Sequence, residues 1–322
     1  MLRILVPLAL LGALIVACGG GDASGGNGNA AITPAPSPPA GCAPARPHAA
    51  GESLERIEGG GGTRTYILHV PPAYDGSTAL PLVLAFHPFG ADARTFDDYT
   101  ALPAMADKSG FVLVSPEGTG AAGAQHWNVT GALNDADDLG FVRALLASLD
   151  ASLCVDPART YATGYSNGGG MVQRLACEMP DRFAAVGVVA SVYVSCTAKV
   201  PVVAFHGTAD PVLPFEGGAV APDVVGGTYP PVRRVLSEWA RALGCDGLPI
   251  ISQPAASIEL STFRNCPSGD GQALLYAVIG GGHTWPNATR DLDLEGPTTH
   301  QIDATATIWE FFAAHARIAL RR

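Results

Sequence analysis

The chain has 322 residues, 48% of them hydrophobic and 15% charged, with a formal net charge of −10. That length and apolar content suffice for one sizeable core. The acidic balance supplies no basic stripe to track phosphates and no attraction to anionic lipid, which argues against nucleic-acid binding and electrostatic membrane attachment.

The first residues read as a targeting segment. Arg3 supplies a positive start, residues 4–16 are apolar, and Ile15-Val16-Ala17-Cys18 follows at the cleavage position. This tetrapeptide resembles a bacterial lipobox, whose cysteine is diacylated and becomes the new N-terminus. Residues 1–17 are therefore expected to leave as a lipoprotein signal, with Cys18 as the lipidation site; the alternative is an ordinary secretory signal with an incidental cysteine. Loss of Arg3 would take the charge from −10 to −11. Residues 18–41 are rich in Gly, Pro, Ala and Ser and cannot bury enough surface to fold, so they read as a tether ahead of a domain over 42–322. The expected location is outside the cytoplasm, lipid-anchored to a membrane or cell surface or else secreted, and lipid at the N-terminus is the membrane contact expected.

Of seven cysteines, six remain after Cys18. An even number in an exported chain points to three disulfides. Proximity favours Cys154–Cys177, which bracket one strand and helix, and Cys245–Cys266, which would close a loop between a helix and the next strand. Cys42–Cys196 is then left. No cysteine pair has metal-ligand spacing, so no zinc site is expected.

Along the rest of the chain, apolar runs and helical periods alternate. Strands are expected at 63–70, 80–86, 111–115, 159–163, 184–190, 200–205, 257–263 and 273–279. Helices are expected at 96–108, 137–152, 171–179, 232–243 and 304–316. Continuous apolar runs such as 80–86 suit parallel strands covered on both faces. The alternation predicts an α/β fold with a doubly wound, mostly parallel sheet.

The organising motif is Gly164-Tyr165-Ser166-Asn167-Gly168, set between a strand-like and a helix-like run. That is the context of a nucleophile elbow. Glycines at 164 and 168 permit the sharp turn, and the following helix aims free N–H groups at the serine. A structural glycine turn is the alternative. A nucleophilic serine needs a base, and the base an orienting acid. Residues 202–205 run into His206-Gly207-Thr208-Ala209-Asp210, and residues 275–279 run into Gly280-Gly281-Gly282-His283. Each places its residue on a loop after a strand, so Asp210 is the expected acid, with Glu216 as fallback, and His283 the expected base.

The remaining histidines take ordinary roles: His206 bonding backbone in the acid loop, and His87 holding the loop after residues 80–86. Asp137 and Asp138 could pass for a glycosidase carboxylate pair, but their place at a helix start favours capping. One oxyanion donor is expected from the backbone N–H of Asn167 and a second from the loop His87-Pro88-Phe89-Gly90.

The ordered set Phe86-His87, Asp137-Asp138-Leu139-Gly140-Phe141, Gly164 to Gly169, His206 to Asp210, Gly281 to Pro286 and the closing Ile308-Trp309-Glu310-Phe311-Phe312 resembles the secreted esterases grouped as feruloyl esterases and polyhydroxybutyrate depolymerases. The likeness covers about 42–315. It implies an α/β-hydrolase fold and ester hydrolysis through Ser166, Asp210 and His283, with no metal or organic cofactor. Pro88 departs from the glycine usual there and has no N–H, which leaves Phe89 or Gly90 as second donor, Phe89 being the one assigned.

Tyr165, Trp127 and Trp285, with Phe89, are candidates to line an acyl pocket, or are ordinary core. The expected substrate is an extracellular phenolic-acid ester, with a hydroxyalkanoate polyester as the alternative. A lipid-anchored binding protein without turnover and an acyltransferase on the same fold are the competing classes.

Overall fold

The computed structural model describes residues 41–130, 135–191, 199–220, 227–292 and 295–317. The signal and tether residues 1–40, Cys18 among them, and Cys196 lie outside these. In chain order the elements are β1 (Gly51–Gly59), β2 (Gly62–Val70), β3 (Leu80–Phe86), α1 (Ala93–Thr100), α2 (Leu102–Ser109), β4 (Val112–Pro116), α3 (Asp138–Ser152), β5 (Val155–Tyr165), α4 (Asn167–Glu178), β6 (Ala185–Val189), β7 (Val202–Gly207), β8 (Gly218–Ala219), β9 (Thr228–Tyr229), α5 (Val232–Ala242), β10 (Ile250–Ala255), β11 (Ile258–Thr262), β12 (Ala273–Val278) and α6 (Ala304–Ala313).

Ten strands form one sheet in the order β1-β2-β4-β3-β5-β6-β7-β12-β11-β10, and β8 pairs with β9 separately. The centre from β4 to β12 is parallel. The flanks β1-β2 and β12-β11-β10 are antiparallel. Side chains of β3 show how the sheet divides its core: Leu82, Leu84 and Phe86 enter the cluster that holds Leu145 of α3, Val172 of α4 and Trp239 of α5. Val83 and Ala85 enter the cluster with Phe96 of α1, Leu102 of α2 and Ile308 of α6. Alternate residues of one strand thus feed both faces, which is why its sequence is apolar throughout. Each fully buried Leu or Phe here contributes roughly 1.5–3 kcal/mol.

The helix expected over 96–108 is two helices. Pro103 lies in the first turn of α2 and cannot donate to the carbonyl of Tyr99 four residues back. The chain breaks at Ala101, which takes a left-handed conformation (φ 54°). The Tyr99 carbonyl accepts instead from the Thr289 N–H at 3.0 Å. Strands β1 and β10 have no counterpart in the sequence reading. Both are edge strands, and neither buries a residue, so they carry no apolar pattern.

Two of the expected disulfides are corrected. Cys42 is bonded to Cys154, not to Cys196, and Cys154 is therefore not bonded to Cys177. Cys177 is disulfide-bonded elsewhere. Cys245 is bonded to Cys266. The N-terminal arm runs beside the loop before β3, with Cys42 N–H on Ser77 O and Arg46 N–H on Gly76 O. The Arg46 guanidinium holds the carbonyls of Asp150 and Leu153, at 2.6 and 2.8 Å. That route delivers Cys42 to Cys154, although 112 positions separate them.

Candidate active site

Strand β5 delivers Ser166 at its carboxyl end, and α4 starts at the next residue. Ser166 sits at φ 54°, ψ −120°, a strained conformation for a residue with a side chain. The turn closes because glycine stands at two contact points. A Cβ on Gly168 would lie 2.0 Å from the Phe86 carbonyl oxygen, and one on Gly164 2.5 Å from the Gly168 carbonyl oxygen. These contacts outweigh the poor helix propensity of Gly168, Gly169 and Gly170, so α4 begins four residues earlier than its apolar pattern does.

Ser166 Oγ lies 2.8 Å from His283 Nε2, and His283 Nδ1 lies 2.8 Å from Asp210 Oδ2. Asp210 and His283 are both buried. Asp210 Oδ1 accepts the N–H groups of Val212 and Leu213. Burial alone would raise the Asp210 carboxyl, but hydrogen bonds from His206 and His283 outweigh it and hold the group below the usual carboxylate range. Glu216 is exposed and takes no part in this relay. His206 does more than bond backbone: its Nε2 is 2.8 Å from Leu213 O and 3.2 Å from Asp210 Oδ2.

The Asn167 side chain clasps the backbone of Trp127, accepting its N–H at 2.7 Å and donating to its carbonyl at 3.1 Å. The Asn167 backbone N–H stands in the first turn of α4, where a helix has no acceptor of its own for it. In the facing loop, His87 Nδ1 donates to Pro88 O at 2.8 Å and Nε2 accepts the Gly118 N–H at 2.9 Å. Burial pulls the His87 imidazole down to about 4, which keeps this neutral tautomer in place at neutral pH. The Gly90 N–H is committed to Gln125 O at 2.8 Å, whereas the Phe89 N–H has no hydrogen-bond acceptor among the described residues. The Phe89 ring stacks on His126.

A cleft of about 570 Å³ opens at Ser166 and His283. Tyr165, Phe89, Phe96, Tyr99 and Leu292 form its walls, with Arg290 and Glu295 as polar groups. Trp127 and Trp285 do not line it. Both are fully buried, Trp127 edge-on to Phe86 with its Nε1 on His87 O, and Trp285 edge-on to Phe96 with its Nε1 on Thr305. Phe96, Tyr99, Leu292, Arg290 and Glu295 carry no signal in the sequence, because their elements meet Ser166 only in three dimensions. The Tyr165 hydroxyl meets the His283 carbonyl and the Glu295 carboxylate, and burial raises it well above the usual phenol range.

The aspartates at the start of α3 divide their roles. Asp137 caps the helix by accepting the Gly140 N–H, as a capping residue should. Asp138 is fully buried instead, pairs with Arg64 at 2.9 Å and accepts the Asn128 N–H at 2.7 Å. It braces the Trp127 segment that Asn167 clasps. Among the described residues no group of three His, Cys, Asp or Glu could hold a metal ion, and no helix is long and apolar enough to cross a membrane.

Residues 64–220 match the family model described as "Esterase PHB depolymerase". A Nocardia uniformis subsp. tsuyamanensis protein that bears the name of an esterase is 34% identical over 277 residues, 78% of this chain and 79% of that one. Feruloyl esterase C of Emericella nidulans is 33% identical over 78% of this chain and 84% of its own. Feruloyl esterase B of Piromyces equi is 30% identical over 68% of this chain, but the match spans only 42% of that longer protein. Among solved structures, an acetyl xylan esterase from Aspergillus awamori superposes with a TM-score of 0.57 at 16% identity, over 81% of this chain and 99% of its own, a likeness of fold. With this sheet order, the chain is an α/β-hydrolase and a carboxylic ester hydrolase, and it belongs to the esterase family that joins polyhydroxybutyrate-depolymerase-type esterases and feruloyl esterases.

Proposed function

We propose that the chain cleaves extracellular carboxylic esters through an acyl-enzyme on Ser166, and that phenolic-acid esters of the feruloyl type are its substrates. The observation that carries the reading is the relay Ser166 Oγ–His283 Nε2–Asp210 Oδ2, with both links at 2.8 Å. His283 takes the proton of Ser166 as its Oγ attacks the ester carbonyl, and Asp210 stabilises the imidazolium. The oxyanion forms against the N–H groups of Asn167 and Phe89. His283 then protonates the departing alcohol, and water repeats the sequence on the acyl-enzyme to release the acid. No metal or organic cofactor takes part in this sequence.

The relatives named feruloyl esterases and the aromatic walls at Tyr165, Tyr99 and Phe96 favour an aryl acid. The description of the matching family favours a hydroxyalkanoate polyester as the second reading. Export as a lipoprotein, with residues 1–17 removed, Cys18 acylated and 18–41 as a tether to a catalytic domain over 42–322, is part of the same proposal; the disulfides Cys42–Cys154 and Cys245–Cys266 suit an oxidising compartment.

A panel of short-chain nitrophenyl esters, methyl ferulate and a hydroxybutyrate oligomer tests it, with Ser166→Ala as control. Turnover that Ser166→Ala reduces by roughly 10³-fold or more supports the serine mechanism, and the preferred ester selects between phenolic and polyester substrates. Folded protein that turns over none of them overturns it. Product analysis with an added alcohol acceptor separates hydrolysis from acyl transfer.

A further inference from the structure

Among the described residues, Arg290 is the one arginine or lysine that lines the cleft. It is exposed, and among the described residues its guanidinium has no carboxylate partner. Both acidic side chains of the same walls are engaged. Asp92 caps α1 by accepting the Thr95 N–H at 2.7 Å, and Glu295 is met by the Tyr165 hydroxyl.

The position of Arg290 is built by its neighbours. The break at Pro103 frees the Tyr99 carbonyl, which takes the Thr289 N–H at 3.0 Å, while Thr289 Oγ1 donates to the Asp98 carbonyl at 2.8 Å. The residue next to Arg290 is thus fixed at two points to the end of α1. The Arg290 guanidinium lies 5.8 Å from the centre of the Tyr99 ring. The Tyr99 ring lies 6.0 Å from that of Tyr165, which lies 5.2 Å from that of His283. A row of rings therefore leads along the cleft wall from the reacting serine to one positive charge.

We infer that Arg290 is a specificity-determining residue that pairs with a carboxylate on the substrate, so that the enzyme favours esters carrying a second, anionic group away from the scissile bond. A guanidinium presents a planar fork to such a group. Two sources share this chemistry: a half-ester of a dicarboxylic acid, and the free acid end of a hydroxyalkanoate fragment. The inference rests on the ester-hydrolase reading and not on the feruloyl choice of substrate, since a ferulate ester carries no second carboxylate.

The test compares the mono-4-nitrophenyl ester of adipic acid with the matched ester whose carboxylate is a primary amide. A second arm compares a hydroxybutyrate trimer with its end-amidated form and so separates the two sources. At low salt the native protein should favour the carboxylate form of at least one pair by roughly three- to tenfold in kcat/KM, the range of a partly exposed ion pair. Arg290→Gln should abolish that ratio, Arg290→Lys should retain part of it, and 0.5 M salt, to name roughly the level, should shrink it. A structural role for Arg290 would lower both members of a pair equally. Equal or inverted preference in the native protein, or a ratio unchanged in Arg290→Gln, overturns the inference while neutral-ester turnover stands. Loss of all turnover, short-chain esters included, overturns the ester-hydrolase reading and this inference with it.

Discussion

His206 Nε2 lies 3.2 Å from Asp210 Oδ2, the oxygen that also accepts the Nδ1 proton of His283 at 2.8 Å. One carboxylate oxygen therefore serves two imidazoles, and the second pins the first in place. His206→Phe should lower kcat by roughly tenfold, the worth of one charge-assisted hydrogen bond. Asp210→Asn should cost roughly 10³- to 10⁴-fold. Asp210 is depressed in the folded protein, so its contribution to stability is complete above the ordinary value of about 4 and is lost as pH falls through the folded value. His206→Phe should shrink that contribution and raise the midpoint of acid unfolding, followed by tryptophan fluorescence. Unchanged kcat in a folded variant would remove His206 from the relay.

Because the Gly90 N–H is committed to Gln125 O, the Phe89 N–H is the donor proposed for the second oxyanion contact. Phe89→Pro should reduce kcat by roughly 10²- to 10³-fold, the cost of one such donor. Phe89→Ala keeps the N–H and should lose far less kcat, with its effect mainly in KM. Equal kcat losses in the two variants, with both folded, would assign Phe89 to packing alone.

The Cys42–Cys154 bond closes the longest described loop, across 112 positions. Replacing both cysteines by serine should destabilise the domain by about 4 kcal/mol, read as a lower urea midpoint. The bond lies at the amino end of β5 and Ser166 at its carboxyl end. Turnover per folded molecule should therefore stay close to native, and a proportionate fall in turnover would show coupling between the two ends of the strand.

Two buried groups on either side of the Phe86 strand titrate in opposite senses. Burial holds His87 at about 4, against about 6.5 when unfolded, so stability is lost on acidification across that interval. Burial raises the Asp97 carboxyl to about 7 despite the hydrogen bond from Ser115, so the folded protein gains a proton that the unfolded chain does not, and stability is gained on acidification from about 7 to 4. The effects are on the order of 3 to 4 kcal/mol each. Relative to Asp97→Asn, the native protein should thus gain stability as pH falls from 7 to 4. Relative to His87→Asn it should lose stability from 6.5 to 4. Urea curves at four or five pH values check both signs, and parallel curves would contradict them.

How far the sequence carries can be judged from particular residues. Residues 80–86 are legible as a central strand because both faces are buried, so apolarity needs no partner to be visible. Ser166, Asp210 and His283 are legible because each follows a strand and a chain-order rule joins them, and their spacing in the structure is that of a hydrogen-bonded row. The disulfide at Cys154 is not legible. Proximity along the chain favours Cys177, whereas the partner is set by where the N-terminal arm packs beside Ser77 and Arg46 reaches Leu153. Trp127 and Trp285 flank the site in sequence, but their rings turn inward to bond His87 and Thr305. Side-chain direction in a loop is not written in residue spacing. Arg290 stands at the cleft beside Thr289, whose N–H takes the Tyr99 carbonyl that Pro103 leaves free, a contact that residue spacing does not show.

The Cys42–Cys154 bond also has a directional consequence. It fixes the start of the described chain to the floor of the sheet, an 11-residue strand away from Ser166, or roughly 35 Å. A bead, a resin or any other solid support coupled ahead of Cys42 would hold the domain by its underside, with the mouth of the cleft turned to the bulk liquid. Such a preparation should meet bulky or insoluble esters as readily as the free enzyme does.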